Sequence, residues 1–349
     1  NLAGNITLEP IKGWRTNLMM STHRSNSMSE NFKSKYYYSN YSQWINSGDS
    51  KGYNGSASKS QSNSISNYLD LTSQYDALWG KHRFSAMAGY SYTYNMYQGF
   101  SGWNSDFPTE AFLYNSLGQG SNYILDEDGK LKRLLAGASS YKNDSKLVAF
   151  FGRISYGYDD RYNVMLSFRR EGSSKFGKNH KWGNFPSASA SWNIHNEEFM
   201  ADTKHWLSNF KLRAGWGVTG IIPGSSYASL VTYGYDTYNK FYNPATGQWE
   251  KALAATQNPN PDIHWETSNE INVGIDMGFF ADRLSFSIDV YNKTTNGLLY
   301  NYGVPLPPNL HNSILANVGV MNNKGIEVFI NAIPVQTKKH LQSEKTQMR

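Results

Sequence analysis

Eight histidines and 27 carboxylates supply ample acid–base and metal-ligating groups, yet none stands at a spacing that would use them. No HExxH pair, no Gly-x-Ser-x-Gly elbow and no phosphate-cradling Walker loop occurs, so no catalytic residue is expected. Asp126-Glu127-Asp128-Gly129 has the opening of a calcium loop but lacks its alternating ligands and terminal Glu, and reads as a charged turn. Gly118-x-Gly120 reads only as a flexible loop. With no cysteine in the chain, thiol catalysis, thiolate metal sites and disulfide frameworks are excluded. Neither a metal nor a cofactor is expected.

The residue types that remain suit recognition. Tyr53, Trp103, Tyr123, Tyr242, Trp249 and Tyr302 fall in long connections, where a flat apolar ring with a polar handle suits a half-wet ligand such as a sugar. Packing between loops explains them as well. From Arg169 to Pro186 the residues Arg169, Glu171, Lys175 and Lys181 could form a charged cluster that touches solute. The preferred reading is that Gly172, its neighbouring glycines and Pro186 fix a tight loop, with Trp182 inside it and the charges paired to adjacent walls. The formal charge is +6, but Lys and Arg are scattered among Asp and Glu with no basic stripe, so no nucleic-acid partner is expected.

The elements that must carry these residues are strands. Period-two alternation dominates: Leu284, Phe286, Ile288 and Val290 oppose Arg283, Ser285, Ser287 and Asp289, and Ile271, Val273, Ile275 and Met277 oppose Glu270, Asn272, Gly274 and Asp276. About eleven strands are predicted, near 2–8, 14–24, 65–79, 82–97, 145–158, 161–171, 184–194, 208–218, 266–280, 283–296 and 323–333. Their connections alternate strictly between short and long. A soluble sandwich has no reason to gather every long loop at one end, whereas an outer-membrane barrel has short periplasmic turns and long extracellular loops. The fold class is therefore all-β, an antiparallel transmembrane β-barrel.

Composition agrees. Aromatic residues make up 15% of the chain, with 25 Tyr and 10 Trp, which suits interfacial girdles. Tyr90, Tyr92, Tyr94, Tyr156, Tyr158, Trp192 and Trp216 fall on apolar strand faces and read as girdle residues in contact with outer-membrane lipid. The segment from Asn196 to Trp206, acidic at its start and basic at its end, predicts a short periplasmic helix.

The stretch RREGSSKFGKNHKWGNFP, from Arg169 to Pro186, resembles the signature of the SusC/RagA family of TonB-linked outer-membrane proteins. Three further segments match that family in order: KLRAGWGVTG from Lys211, NPDIHWETS from Asn260 and NVGVMNNKGIEV from Asn317. Glu171 stands where the family usually has Asp, and Lys175 where it usually has Arg. The resemblance covers residues 1–333. It implies a Gram-negative outer-membrane location and a barrel of about 22 strands, of which roughly half are here. It also implies an N-terminal plug, energy from the TonB complex, a SusD-like surface lipoprotein as lid, and oligosaccharide or peptide as cargo.

No plug pattern or TonB box is found in these residues, so the chain reads as the C-terminal barrel part of a larger importer, contacting TonB only through a missing N-terminal part. The alternation stops after Pro334, and residues 334–349 read as an off-pattern polar tail, truncated or frame-shifted. Two other readings remain open: a passive porin or autotransporter barrel, and a soluble all-β glycan-binding domain.

Overall fold

A computed structural model describes residues 1–37, 55–125, 128–129, 131–134 and 136–334. Eleven long strands carry the fold: β1 (Leu2–Ile11), β2 (Trp14–Lys33), β3 (Ser56–Trp79), β4 (His82–Ser105), β7 (Gly137–Tyr158), β8 (Tyr162–Ser173), β9 (Trp182–Asn193), β10 (Leu207–Ile221), β13 (Glu266–Phe279), β14 (Leu284–Asn296) and β17 (Val320–Ala332). They hydrogen bond in that order in one 11-stranded sheet, of which β1 and β17 are the edge strands. Three small hairpins interrupt the long connections: β5 (Tyr123–Leu125) with β6 (Leu131–Leu134), β11 (Thr232–Asn243) with β12 (Gln248–Gln257), and β15 (Leu299–Gly303) with β16 (Ser313–Asn317). All eleven predicted strands are present. Several run further than the alternation suggested, β2 to Lys33 and β4 to Ser105.

The chain divides into two compact units, one of Asn1–Gly4, Met20–Leu69 and Thr93–Lys146, the other of Asn5–Met19, Asp70–Tyr92 and Leu147–Arg349. In the first, the buried Asn104 amide donates to the Leu117 carbonyl and to Asn122 Oδ1, both at 2.8 Å, and holds the turn Leu113–Gln119 and the chain that follows it. Glu110 accepts from Ser34 Oγ at 3.0 Å and from the Lys35 backbone at 2.7 Å, which anchors the end of β2.

The second unit carries the two-faced wall. One hydrogen-bonded row runs Tyr162, Trp192, Leu212, Ile275, Ile288, Val328 across six strands, every member apolar or aromatic. Tyr162 opens β8, whereas four strands along this row Ile288 lies four residues inside β14, which opens at Leu284. The turn end thus advances one residue per strand. With a rise of about 3.3 Å per residue and about 4.8 Å between strands, that shear tilts the strands by roughly 35°, as a closing barrel requires.

Leu166, Val273, Val290 and Ile326 on this face are between 50% and 70% exposed. In water such a continuous apolar wall would be untenable, and in lipid it is the stable state. Arg170 shares this face, at the long-connection end, where its guanidinium lies 5.4 Å from the Trp182 ring centroid, an interfacial position open to a snorkelling cation. The opposite face is polar. Arg213 pairs with Asp276 at 2.7 Å and Asp289 at 3.0 Å and donates to Ser287 Oγ at 3.2 Å, so one guanidinium is shared by two carboxylates within the wall.

Turns at the short end are built from left-handed residues. Gly13 has φ +86°, and a Cβ there would lie 2.4 Å from the Asp76 carbonyl oxygen, so only glycine fits. Asp159 and Asp160 both take positive φ, the twist that suits a two-residue hairpin. The turn expected at Ala281-Asp282 extends to Phe280, all three with φ between 56° and 59°, and Ser208 Oγ braces it by donating to Asp282 Oδ1 at 2.8 Å.

The helix predicted from Asn196 to Trp206 is corrected to two 3-10 turns, Ile194–Asn196 and Glu198–Thr203. Glu197 between them is extended, and its buried carboxylate accepts from Tyr162 Oη at 2.6 Å, Trp192 Nε1 at 2.9 Å and Arg161 Nη1 at 2.9 Å. Holding three donors from β8, β9 and the turn between β7 and β8 fixes the Glu197 backbone outside the helical region. Those donors, Tyr162 first, hold its carboxyl below the usual glutamate range.

Candidate functional site

Among the described residues few hydrophobic side chains are fully buried, and five of them form one cluster: Phe176, Phe185, Ala228, Ile263 and Trp265, with Val218, Ile222, Leu299 and Leu315 against it. Phe176 lies in the connection between β8 and β9, Phe185 in β9, Val218 in β10, Ile263 and Trp265 before β13, and Leu315 in β16. Three long connections therefore share one core at their base. The four sequence segments that carry the family resemblance converge here.

The contacts are specific. Trp265 lies 4.8 Å from Phe176 and 5.1 Å from Phe185, ring centre to ring centre, and its Nε1 donates to the Lys181 carbonyl at 3.1 Å. A Cβ on Gly177 would fall 2.0 Å from the Pro261 carbonyl oxygen, so the backbones meet at a distance only glycine permits. Asparagines staple the rest. Asn260 Nδ2 donates to the Leu315 carbonyl at 2.8 Å, and Asn258 Nδ2 to the His311 and Ser313 carbonyls at 2.6 and 2.9 Å. Each amide satisfies backbone groups that these loops would otherwise leave unpaired.

The predicted signature residues divide between this core and the wall. Lys175 Nζ donates to the carbonyls of Pro223 and Gly224 at 3.0 and 2.9 Å, and burial pushes its ammonium below the usual lysine range. Arg169 pairs with Glu171 and lies 5.4 Å from the Phe151 ring centroid. Trp182 covers Gly172 and stacks on Phe150 at 6.3 Å. Pro186 sits opposite Phe168, one residue beyond the ladder that joins β9 to β10 from Ser187, where its missing N–H interrupts no bond to β10. Arg169 and Glu171 pair with each other while the Lys175 ammonium is spent on the carbonyls of Pro223 and Gly224, so these three do not form a single charged cluster; Lys181 enters the core through its backbone carbonyl.

Of the loop aromatics, Tyr242 and Trp249 are cross-strand partners in the β11–β12 hairpin, with ring centres 5.7 Å apart at 60°. Tyr302 is exposed in β15, Trp103 stands over Gly137, and Tyr123 is exposed in β5. Tyr53, Asp126 and Glu127 lie outside the described residues, as do residues 335–349. Among the described residues no group of three His, Asp or Glu is placed to hold a metal ion.

Several of the aromatics expected to form a girdle make contacts where the strands turn. His82 Nδ1 and Tyr156 Oη are 2.7 Å apart, and Tyr162 stacks on Trp192 at 6.2 Å. Towards the other end, Tyr90 lies 5.2 Å from Phe150.

A family model described as TonB dependent receptor-like, beta-barrel, matches residues 4–333. The chain belongs to that family. Among its relatives, TonB-dependent receptor SusC of Bacteroides thetaiotaomicron is 34% identical over 63% of this chain and 22% of its own length. TonB-dependent receptor P3 of Formosa agariphila is 30% identical over 80% of this chain and 26% of its own. A solved structure of the RagAB peptide transporter superposes with a TM-score of 0.79 at 23% identity, covering 96% of this chain and 34% of that one. This TonB-dependent receptor chain is thus SusC/RagA-like, as its motifs implied, and its place is the outer membrane of a Gram-negative bacterium. It spans between 18% and 27% of the length of the relatives it matches.

Phe176, Ile263, Trp265, Asn260 and Asn317 all lie inside the four motifs, yet neither their types nor their local spacing marks them as a shared core. Their signal was mutual: four segments far apart in sequence are easiest to understand if they touch. The β11–β12 hairpin went unread because its alternation breaks between Tyr235 and Lys240.

Proposed function

We propose that the protein carrying this chain is a TonB-driven importer of oligosaccharides or peptides, and that residues 1–333 supply part of its barrel wall and extracellular loops. The observation that carries this reading is the pairing of a tilted, two-faced wall with long connections locked into one core. Such a base holds exposed loops in a fixed arrangement around the mouth of a conduit, which a passive porin does not need. The name of the TonB-dependent receptor SusC supports the TonB-linked reading, and that of the RagAB peptide transporter supports peptide as one cargo class.

The remaining partners follow from the same reading. A SusD-like surface lipoprotein would close over the long-connection end, and the TonB complex would act on parts of the protein outside this chain. The polar wall around Arg213, Asp276 and Asp289 lines the passage, and the shared guanidinium ties both carboxylates to the wall. Tyr242 and Trp249 are the best placed of the candidate ligand aromatics, being exposed and adjacent. Trp103, Tyr123 and Tyr302 are secondary candidates.

Uptake tests it. Cells expressing the intact protein, with and without a functional TonB, are given labelled oligosaccharide and peptide mixtures. Accumulation that requires TonB is the expected result. Accumulation unaffected by loss of TonB would make the protein a passive pore and refute the proposal.

A further inference from the structure

The β11–β12 hairpin is a two-stranded sheet whose two faces differ in kind. Its register pairs Tyr235 with Leu253, Lys240 with Lys251 and Tyr242 with Trp249, so these side chains share one face. All six are exposed, and Tyr233, paired with Ala255, extends the face. The other face carries Glu250, which accepts from Asn243 Nδ2 at 2.7 Å and from Thr246 Oγ1 at 3.1 Å, within the hairpin's own turn. On the outer face two lysines therefore sit between aromatic rings. Neither has an ion-pair partner among the described residues.

Tyr242 and Trp249, 5.7 Å apart and inclined at 60°, form an aromatic corner on one side of the lysine pair, and Tyr235, paired with Leu253, stands on the other, so an extended ligand laid along this face meets a ring on each side of the lysines. Two unpaired ammonium groups between those surfaces attract negative charge on the same ligand. A sugar chain fits both requirements, because each ring offers a C–H face for stacking while a carboxylate or sulfate substituent projects from its edge. An acidic peptide fits less well, because its charges end flexible stems that leave the rings uncovered.

We propose that this face of the β11–β12 hairpin binds anionic oligosaccharides, chains bearing uronate or sulfate groups, with Tyr235, Tyr242 and Trp249 as stacking platforms and Lys240 and Lys251 as the charge readers. The inference rests on the import reading and names its cargo class. Binding is electrostatically assisted, so it weakens as salt is raised.

The test is a titration of the intact, detergent-solubilised protein with oligogalacturonate, chondroitin sulfate oligosaccharide and a neutral malto-oligosaccharide of equal length. Wild type should bind one anionic chain at least tenfold more tightly than the neutral one. The doubly substituted Lys240→Gln/Lys251→Gln protein should lose that preference and its salt dependence, and Trp249→Ala should weaken the anionic chain tenfold or more. Both sites are solvent-exposed, and an unchanged unfolding temperature confirms the variants are folded. Equal affinity for anionic and neutral chains, or no effect of removing the lysines, overturns the proposal. So does loss of a co-purifying surface protein without change in sugar binding, which would make the face a protein-docking surface. TonB-dependent uptake of neutral sugars alone would refute this inference while leaving the import reading intact.

Discussion

Asn317 grips the backbone of His264 from both sides: its Oδ1 accepts from the His264 N–H at 2.9 Å, and its Nδ2 donates to the His264 carbonyl at 2.8 Å. A single amide thereby imitates a neighbouring strand. The same Nδ2 donates to the Gly297 carbonyl at 2.8 Å, so one side chain joins the connection before β13 to both ends of the connection after β14. Asn317→Leu removes all three bonds and leaves the backbone groups to find other partners. A loss of about 1–3 kcal/mol is expected, read as a lower unfolding temperature in detergent. An unchanged temperature would show that water replaces the clamp without cost.

Phe176 is the most deeply buried of the three aromatic side chains in the loop core, at 2% exposure. Phe176→Ala should cost about 3–5 kcal/mol of local stability. Because the damage is confined to the long-connection end, strand content should persist while residues 174–181 become cleavable by protease added to intact cells. Resistance equal to wild type would place the stabilisation of this loop elsewhere.

Acid should act at the short turns. The Glu197 carboxyl is held below its ordinary value by Tyr162, Trp192 and Arg161, and the Asp159 carboxyl by Lys81 and Arg161. A depressed folded value means that each contributes stability fully above the unfolded carboxylate range, and loses it as pH falls through the folded value. Unfolding temperature should therefore decline below the ordinary carboxylate range, and Glu197→Gln should flatten that decline while lowering the neutral-pH plateau. A variant curve parallel to wild type at every pH would contradict the assignment.

Adjacent residues of β8 should tolerate charge oppositely. Leu166 belongs to the apolar face, whereas Ser167 lies on the polar face, its hydroxyl 2.6 Å from Ser187 Oγ. Leu166→Lys should cost about 2–4 kcal/mol near mid-membrane, and Ser167→Lys much less. Surface abundance of the two variants, measured by outer-membrane fractionation, should separate accordingly. Equal abundance would argue against a lipid-facing Leu166.

Most of the wall was legible because one physical rule governs it. Lipid on one side and water on the other impose period two, and residues such as Ile271 and Asp276 or Val290 and Asp289 obey it without exception. Arg170 shows where the rule ends, since at the interface a guanidinium can share a face with Phe168 by resting on Trp182. The loop core was harder to read. Phe176, Trp265 and Asn317 are brought together by contacts across long sequence separations, which no local periodicity encodes. The segment at Glu197 failed as a helix for a related reason: its carboxylate answers to donors on β8 and β9 that a local charge pattern does not reveal.

A tilted wall with alternating faces can be read position by position: these residues contain no cysteine, so once any thiol elsewhere in the intact protein is replaced, a single reporter thiol can be placed at each position. Spin labels placed one at a time along β8 and β14 of the intact protein in lipid, tested for collision with oxygen and with a water-soluble nickel complex, measure it directly. Period-two alternation is expected in both strands, with oxygen contact at Val164, Leu166, Phe286 and Ile288, so that the oxygen-accessible band on β14 is displaced by about four residues from Val290 and Asn292, the register partners of the β8 positions. Uniform collision profiles, or oxygen contact at Ser167 and Asp289 instead, would contradict it.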